Sequence, residues 1–576
     1  MMQNLINPFV KFVKQYDISM SDYTKIFDEY TETVQYEVES EINKTIINLM
    51  RSEPTSIIIT GNAGDGKTRI CRNVYENLTG VQLEKWDPKG IEEVKVSGKI
   101  IRIIKDFSEL QDNVINQELV RLQNAIANQN ECYLIAANEG KLTHALVKNP
   151  ELKALYDIVT SQLSDRTAPK PQRLHIYNLL HTSSSIYALK ILQEWNKKDN
   201  WTTCSACKQQ RKCIIFHNHN KLKEKDVQVL INRIYRSLDA SQTHMTMREL
   251  LIQLAYVQIG GLSCEAIHQA KGEALQEQAR KVYYENLFGH SASADFFEKI
   301  PGFMEIKKYD PGLLSNSKVD DFIFNGDLSG DDSAEEHDRL FSVNIDTEYG
   351  YFKQELHQYR SLYKTDENLG VVLANNWLPR LRRKYYFESK SSLPVATSNE
   401  KSMIAFKFRQ NFLQILKNEM VDPVIQKSLI RGLNQYFAKQ IVYSPTNALY
   451  VVNENLFIYR IIEFSNLGWN VEKKDRDLDY AASSICLEVD GIQLKINLLL
   501  FEYLMRLANG GLPHILSDDV EILINNFKNK LIRSNDTKDN ILEILKYNQR
   551  QDAYVLRQIT VNGQGSNEID LEPEFD

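Results

Sequence analysis

The clearest chemistry in this chain sits in eight consecutive residues, Gly61, Asn62, Ala63, Gly64, Asp65, Gly66, Lys67 and Thr68, a G-x-x-x-x-G-K-T string. Glycines at this spacing let the backbone curl until successive N–H groups converge on one anion, at the positive end of a following helix. A lysine and a hydroxyl after the last glycine add a cation for β- and γ-phosphates and a ligand for Mg²⁺. The β-branched run SIIIT precedes the string and RICRNVYENL follows it at helical spacing. That strand–turn–helix setting is what a phosphate-cradling loop requires, and it argues against a fortuitous glycine-rich turn.

Nucleotide hydrolysis also needs an acid at the tip of a neighbouring strand. The apolar run 100–105 ends in Asp106-Phe107-Ser108-Glu109, which makes Asp106 the candidate on the Mg²⁺ side and Glu109 a candidate for positioning water. The plain alternative is a pair of acids capping a helix start. The run YLIAA ends at Asn138, an amide that either senses the γ-phosphate or caps the next helix. Arg248, in HMTMRELL, would bring a guanidinium to the phosphates from a later helix; otherwise it is a solvated or salt-bridged helix residue.

Two further groups stand out. Cys204-x2-Cys207-x5-Cys213 offers three soft ligands at zinc spacing. His217, His219 or the more distant Cys264, after Gly260-Gly261, would complete a tetrahedron. No catalytic base adjoins them, so the expected Zn²⁺ is a structural staple. Cys71, Cys132 and Cys486 lie in apolar patterns and are expected in cores. Around 377–387, Arg380, Arg382, Arg383 and Lys384 are interleaved with Trp377, Tyr385, Tyr386 and Phe387. Cations with aromatics suit nucleic-acid phosphates and stacked bases. An arginine lent across a homo-oligomer interface to a neighbour's ATP is a second reading, and a buried amphipathic element with ion-paired arginines is a third.

The elements that must position these groups can be sketched from periodicity. Residues 1–53 read as an N-terminal helical segment, ended by Pro54. Across 54–197, short apolar runs (57–60, 100–104, 133–137, 174–179) alternate with amphipathic stretches, predicting an α/β core with a parallel sheet. A Cys-rich insert occupies 198–223, a helical lid 224–315 and an acidic linker or loop 316–345. A helical region carrying the basic aromatic segment follows at 346–440, and a mixed α+β C-terminal domain at 441–576.

The 576 residues, 43% hydrophobic and 25% charged, exclude a wholly disordered chain. Lys and Arg number 69 against 76 Asp and Glu, a net charge of −7, which argues against a surface that coats nucleic acid throughout. No run approaches 18 uninterrupted apolar residues and the start lacks a secretory signal. The expectation is a soluble, cytoplasmic protein that does not span a membrane.

Taken in order, GNAGDGKT, IIKDFSEL, YLIAANEGKL, CSACKQQRKCIIFHN, HMTMRELLIQLAYVQIGGLSC and LPRLRRKYYF resemble the ATPase subunit of DNA phosphorothioation-dependent restriction systems (DptF-like), among P-loop ATPases of bacterial anti-phage defence. The resemblance covers roughly 55–270 and 370–390, with a looser likeness around 495–515. It implies an AAA-like P-loop NTPase core using ATP and Mg²⁺, partner proteins, and DNA as the ultimate target. It also implies Gly61 to Thr68 as the nucleotide loop, Asp106 at the acidic strand end, Asn138 as sensor, and Cys264 as fourth cysteine ligand with Cys204, Cys207 and Cys213. The chain departs from the pattern at Ile214, where the family has proline, and at Phe107, where a second acid would follow Asp106. That second departure leaves open a nucleotide-gated scaffold or switch with negligible hydrolysis.

Overall fold

The computed structural model describes residues 5–16, 38, 40–96, 98–128, 131–164, 173–293, 298, 301–341, 346–347, 356–357, 360–361, 367–390, 406–439, 448–452, 457–512, 518–534, 541–548, 553–562 and 565–571. The chain forms two compact units. One comprises Met1–Leu238, Thr243–Ala405 and Asp475–Ala481; the other comprises Asp239–Gln242, Phe406–Lys474 and Ala482–Asp576.

The first unit is organised by a mostly parallel five-stranded sheet. Its strands are β1 (Ser56–Thr60), β2 (Ile91–Val96), β3 (Lys99–Ile104), β4 (Glu131–Ala137) and β5 (Leu174–Asn178), in the order β2-β3-β4-β1-β5. β1 pairs in parallel with β4 and β5, β3 in parallel with β4, and β2 is an antiparallel edge on β3. All four apolar runs expected as strands are in this sheet. β2 was not foreseen, because IEEVKV buries only Val94 fully and its pattern resembles a polar surface segment.

The helices preceding and flanking the sheet are α1 (Pro8–Lys14), α2 (Glu41–Ser52), α3 (Lys67–Thr79), α4 (Asp112–Asn128), α5 (Glu139–Lys148), α6 (Lys153–Ser164) and α7 (Ser184–Trp195). α2 and α3 cover one face, packing Ile46, Met50, Cys71 and Val74 against Ile57, Ile59, Ile101 and Ile103. α4, α5 and α6 cover the other, packing Leu119, Leu142 and Leu155 against Ile58, Tyr133 and Ile135. Successive β1 side chains thus enter opposite cores, which is why the strand is apolar without alternation. Much of the expected N-terminal helical segment, 17–37, lies outside the described residues. The segment Asp475–Ala481 returns to this unit, where buried Asp479 accepts hydrogen bonds from Glu41 N at 2.7 Å, Tyr187 Oη at 3.0 Å and Lys190 Nζ at 3.1 Å.

Because β1, β3, β4 and β5 run parallel, the turns after them share one edge of the sheet. The chain leaves β1 toward β3 on one side and reaches β5 on the other, so the order reverses around β1. The crevice at the carboxyl ends of such strands is where α/β sheets place ligands.

One expectation is revised in this unit. The stretch expected as an acidic linker or loop, 316–345, is helical over Ser317–Asn325 and Asp331–Phe341. Val319, Phe322, Ile323, Leu340 and Phe341 are buried from these helices, and the acids serve partly as counterions: Asp320 holds Arg382, and Glu336 holds Arg339. Met247–Gln269 is long and apolar enough to cross a membrane by length and composition, but it breaks into two helices at Gly260-Gly261. Most of its apolar window is buried inside the protein, so burial on all sides accounts for its composition.

The second unit is mixed α and β. β6 (Ala448–Val452), β7 (Phe457–Glu463), β11 (Ile541–Asn548), β12 (Ala553–Asn562) and β13 (Gly565–Leu571) form an antiparallel sheet ordered β13-β12-β11-β7-β6. β8 (Gly468–Val471), β9 (Ile485–Val489) and β10 (Ile492–Ile496) form a three-stranded one. Helix Pro423–Ala438 lies so close to helix Leu498–Ala508 at Gly432 that any side chain would overlap the Leu504 carbonyl. Asn434 pins the edge strand β6 by donating to Ala448 O and accepting from Tyr450 N.

Candidate functional site

Between the end of β1 and the start of α3 the chain turns at Gly61 (φ 151°), Gly64 (φ 97°) and Gly66 (φ 86°), conformations that strain any residue carrying a Cβ. Gly66 caps α3 with no side-chain hydrogen bond, so the first amides of α3 are left to the loop side, where a helix N-terminus favours an anion. Lys67 folds back over the loop, its Nζ donating to Gly61 O at 2.9 Å and Asn62 O at 2.7 Å. Burial lowers the Lys67 ammonium from its ordinary range, opposed by the nearby carboxylates of Asp65 and Asp106. Asp106 is thus near enough to act on Lys67 electrostatically. Thr68 is half-buried on the first turn of α3.

The remaining candidates divide. Arg248 is brought to the loop: its backbone N–H donates to Gly64 O at 3.0 Å, and a Cβ on Gly64 would stand 3.1 Å from Arg248 Cβ. It is the second residue of the helix Met247–Ile259, whose entry is set by a capping box between Thr246 and Glu249. Asp106 accepts from Ser108 N at 2.7 Å and so also caps the turn that follows β3. Glu109 is half-exposed and pairs with Lys105 at 2.9 Å. Asn138 caps α5 through Gly140 N at 3.0 Å and is exposed. Lys141 ties the β4 end to the β3 end by donating to Ser108 O at 2.7 Å. Sequence reasoning missed His244, whose Nε2 lies 2.7 Å from Asp65 Oδ1; it stands four residues before Arg248 with nothing in its spacing to mark the contact.

The cysteines of the insert and Cys264 are free. The thiols of Cys204 and Cys213 both feel that of Cys264, and Cys264 feels Cys207. Burial pushes the Cys204 thiol up to about 11 and Cys213 up to about 12, and raises Cys264 as well. N–H donors oppose this: Asn7 Nδ2 reaches Cys204 Sγ at 3.2 Å, the Asn7 backbone faces Cys264, and the Phe216 and Ile215 amides face Cys213. His268 Nε2 lies 3.6 Å from Cys207 Sγ, a neighbour the spacing did not suggest. The two histidines weighed as ligands have other surroundings. His219 stacks on Trp201, its Nδ1 is 3.0 Å from Asn196 Oδ1, and burial drops it to about 3. His217 faces Asp346 and Glu388.

The basic aromatic segment lies on the helix Glu367–Glu388. Arg382, Arg383 and Lys384 are buried, and Arg380 is half-buried. Arg380 and Lys384 hold Asp346, each at 2.8 Å; Arg382 holds Asp320 at 2.6 Å; Arg383 holds Asp310 at 2.9 Å and Glu285 at 2.7 Å. Tyr385, Tyr386 and Phe387 are buried too. This is the buried amphipathic arrangement, in which these cations neutralise the fold's own acids and present no phosphate-binding stripe. His217, Asp346 and Glu388 place ligand atoms within 4.8 Å of one another. The cation between those carboxylates is already the Lys384 ammonium, 2.8 Å from Asp346 and 3.1 Å from Glu388.

Comparison with family models, with curated proteins and with solved structures gives no match for this chain.

Proposed function

We propose that residues 61–68 are a P-loop and that the protein binds ATP with Mg²⁺ and hydrolyses it. The observation that carries this reading is one loop. Glycines at positive φ lead into a helix N-terminus with no side-chain cap, and the half-buried Lys67 folds over the loop onto the Gly61 and Asn62 carbonyls. The loop lies at the carboxyl edge of a parallel sheet, where the strand order reverses. In this reading the 61–68 amides and Lys67 hold the polyphosphate, and Thr68 with Asp106 holds the Mg²⁺ that neutralises charge on the γ-phosphoryl. Arg248 stands by for the charge that develops as the terminal bond breaks.

A second reading, a nucleotide-gated switch with negligible turnover, is favoured by Glu109. Its carboxylate is engaged by Lys105, and the residue after Asp106 is the buried Phe107. Titration calorimetry with Mg·ATP should register saturable binding, and a phosphate-release assay should show turnover. Binding without release selects the switch, and no heat removes both readings. The resemblance extends the proposal to a subunit of a bacterial DNA-restriction or anti-phage complex. A role on DNA exerted through partner proteins fits the burial of the Arg382, Arg383 and Lys384 cations.

We also propose that Cys204, Cys207, Cys213 and Cys264 hold a structural Zn²⁺. Burial disfavours the thiolates of Cys204, Cys213 and Cys264 while N–H groups point at their sulfurs, and a bound dication would resolve that conflict. Elemental analysis should find about one zinc per chain, in line with a four-thiolate structural site. Cys264→Ser should release it as Cys204→Ser does; a Cys264→Ser protein that retained its zinc would remove Cys264 from the set.

A further inference from the structure

His244 belongs to no motif, yet its side chain holds the 61–68 loop from outside. Its Nε2 is 2.7 Å from Asp65 Oδ1, and the Asp65 side chain is only 2% exposed. The other carboxylate oxygen, Oδ2, accepts the Asn62 N–H at 2.6 Å. Gly61 packs against it so closely that a Cβ there would stand 2.6 Å from Oδ2. A carboxylate only accepts, so Nε2 is the nitrogen that donates; Nδ1 is buried with no hydrogen-bond partner among the described residues. Both oxygens of Asp65 are thus engaged, one on its own loop and one on the segment entering the helix Met247–Ile259. The backbone of Asp65 leads directly into Gly66, Lys67 and Thr68, so the orientation of its peptide sets where the following amides point.

We propose that His244 is a positioning residue of the nucleotide site. By holding Asp65 it sets the aim of the amides from Asp65 to Thr68 and keeps the Asp65 carboxylate from swinging toward the polyphosphate. The contact also joins the loop to the Arg248 helix by a side chain, beside the backbone bond from Arg248 N to Gly64 O. This inference rests on the nucleotide-binding reading and deepens it.

The test is Mg·ATP affinity of the full chain by calorimetry, with the melting midpoint of the nucleotide-free protein measured alongside. His244→Ala should weaken binding about tenfold, the loss typical of a hydrogen bond to a charged group. His244→Gln, whose amide donor has roughly the reach of Nε2, should recover to within about threefold. His244→Asn, which reaches only as far as Nδ1, should behave like the alanine variant. A general packing defect would not separate glutamine from asparagine in this way. Wild-type affinity in His244→Ala, or a glutamine variant as weak as the alanine one, overturns the inference while leaving ATP binding intact. Absence of Mg·ATP binding in the wild type overturns the nucleotide reading and this inference together.

Discussion

Lys67→Ala is expected to cut Mg·ATP affinity by on the order of a hundredfold or more and to bring phosphate release to background. A lysine placed on β- and γ-phosphates contributes charge-assisted hydrogen bonds of about 1.5–3 kcal/mol each, and here it acts from a partly desolvated position where Coulomb terms are screened less. The nucleotide-free protein should lose little. Its Lys67 bonds go to the Gly61 and Asn62 carbonyls, which water can reach at Asn62, and removal also relieves the burial of a cation. Affinity and stability should therefore separate, with a melting midpoint close to wild type. Calorimetry and a thermal melt on the same preparation check this, and wild-type ATP binding by the variant would dismiss residues 61–68 as the phosphate site.

The largest stability effect is expected at the buried ion network around Asp346. Its Oδ2 accepts from Arg380 at 2.8 Å and Tyr284 Oη at 2.7 Å, and its Oδ1 from Lys384 at 2.8 Å. Glu388 is held by Lys384 and Lys221, each at 3.1 Å, and by Tyr283 Oη at 3.1 Å. Asp346→Ala strands Arg380 and Lys384 without their shared carboxylate. Breaking a buried pair from one side costs about 3–5 kcal/mol, which should appear as a large fall in the urea midpoint at pH 7.

The same network predicts acid sensitivity. Burial alone would raise Asp346, but Lys384 and Arg380 outweigh it and hold the carboxyl well below its ordinary range. Burial likewise acts on Asp310 and Glu388, where His290 with Arg383, and Lys384 with Lys221, bring the net direction down. Each group is more acidic folded than unfolded, so its contribution is complete above the unfolded value near 4 and is lost as pH falls through the folded one. The urea midpoint should hold through neutral pH and drop below about pH 4, less steeply in Asp346→Asn. An Asp346→Ala unfolding free energy within about 1 kcal/mol of wild type, the scale of an exposed pair, would contradict the network's role.

Much of the sheet and of the 61–68 turn in the first unit was legible in the residues themselves. β1, β3, β4 and β5 are apolar because each lies between two helical layers, and a run buried on both faces declares itself without long-range information. The 61–68 turn is likewise local, since only glycine tolerates the φ values at 61, 64 and 66. β2 was not legible because an edge strand needs no continuous apolar run, and the acidic 316–345 stretch has the charge density of a solvated loop although acids such as Asp320 and Glu336 pair with arginines of the fold.

What the sequence determined by itself is therefore a strand, a glycine turn and a helix able to surround an anion, because backbone sterics and two-sided burial act within a few residues. What only the tertiary structure decided is which side chains meet: His244 on Asp65, His268 on Cys207, and the basic helix on its own acids. Arg383 finds Asp310 and Glu285 from 73 and 98 residues away. The cations read equally well as a nucleic-acid surface until those acids closed over them. A charged side chain records only that it needs a partner, and whether that partner is a phosphate or a carboxylate of the same chain is settled by which segments pack against it.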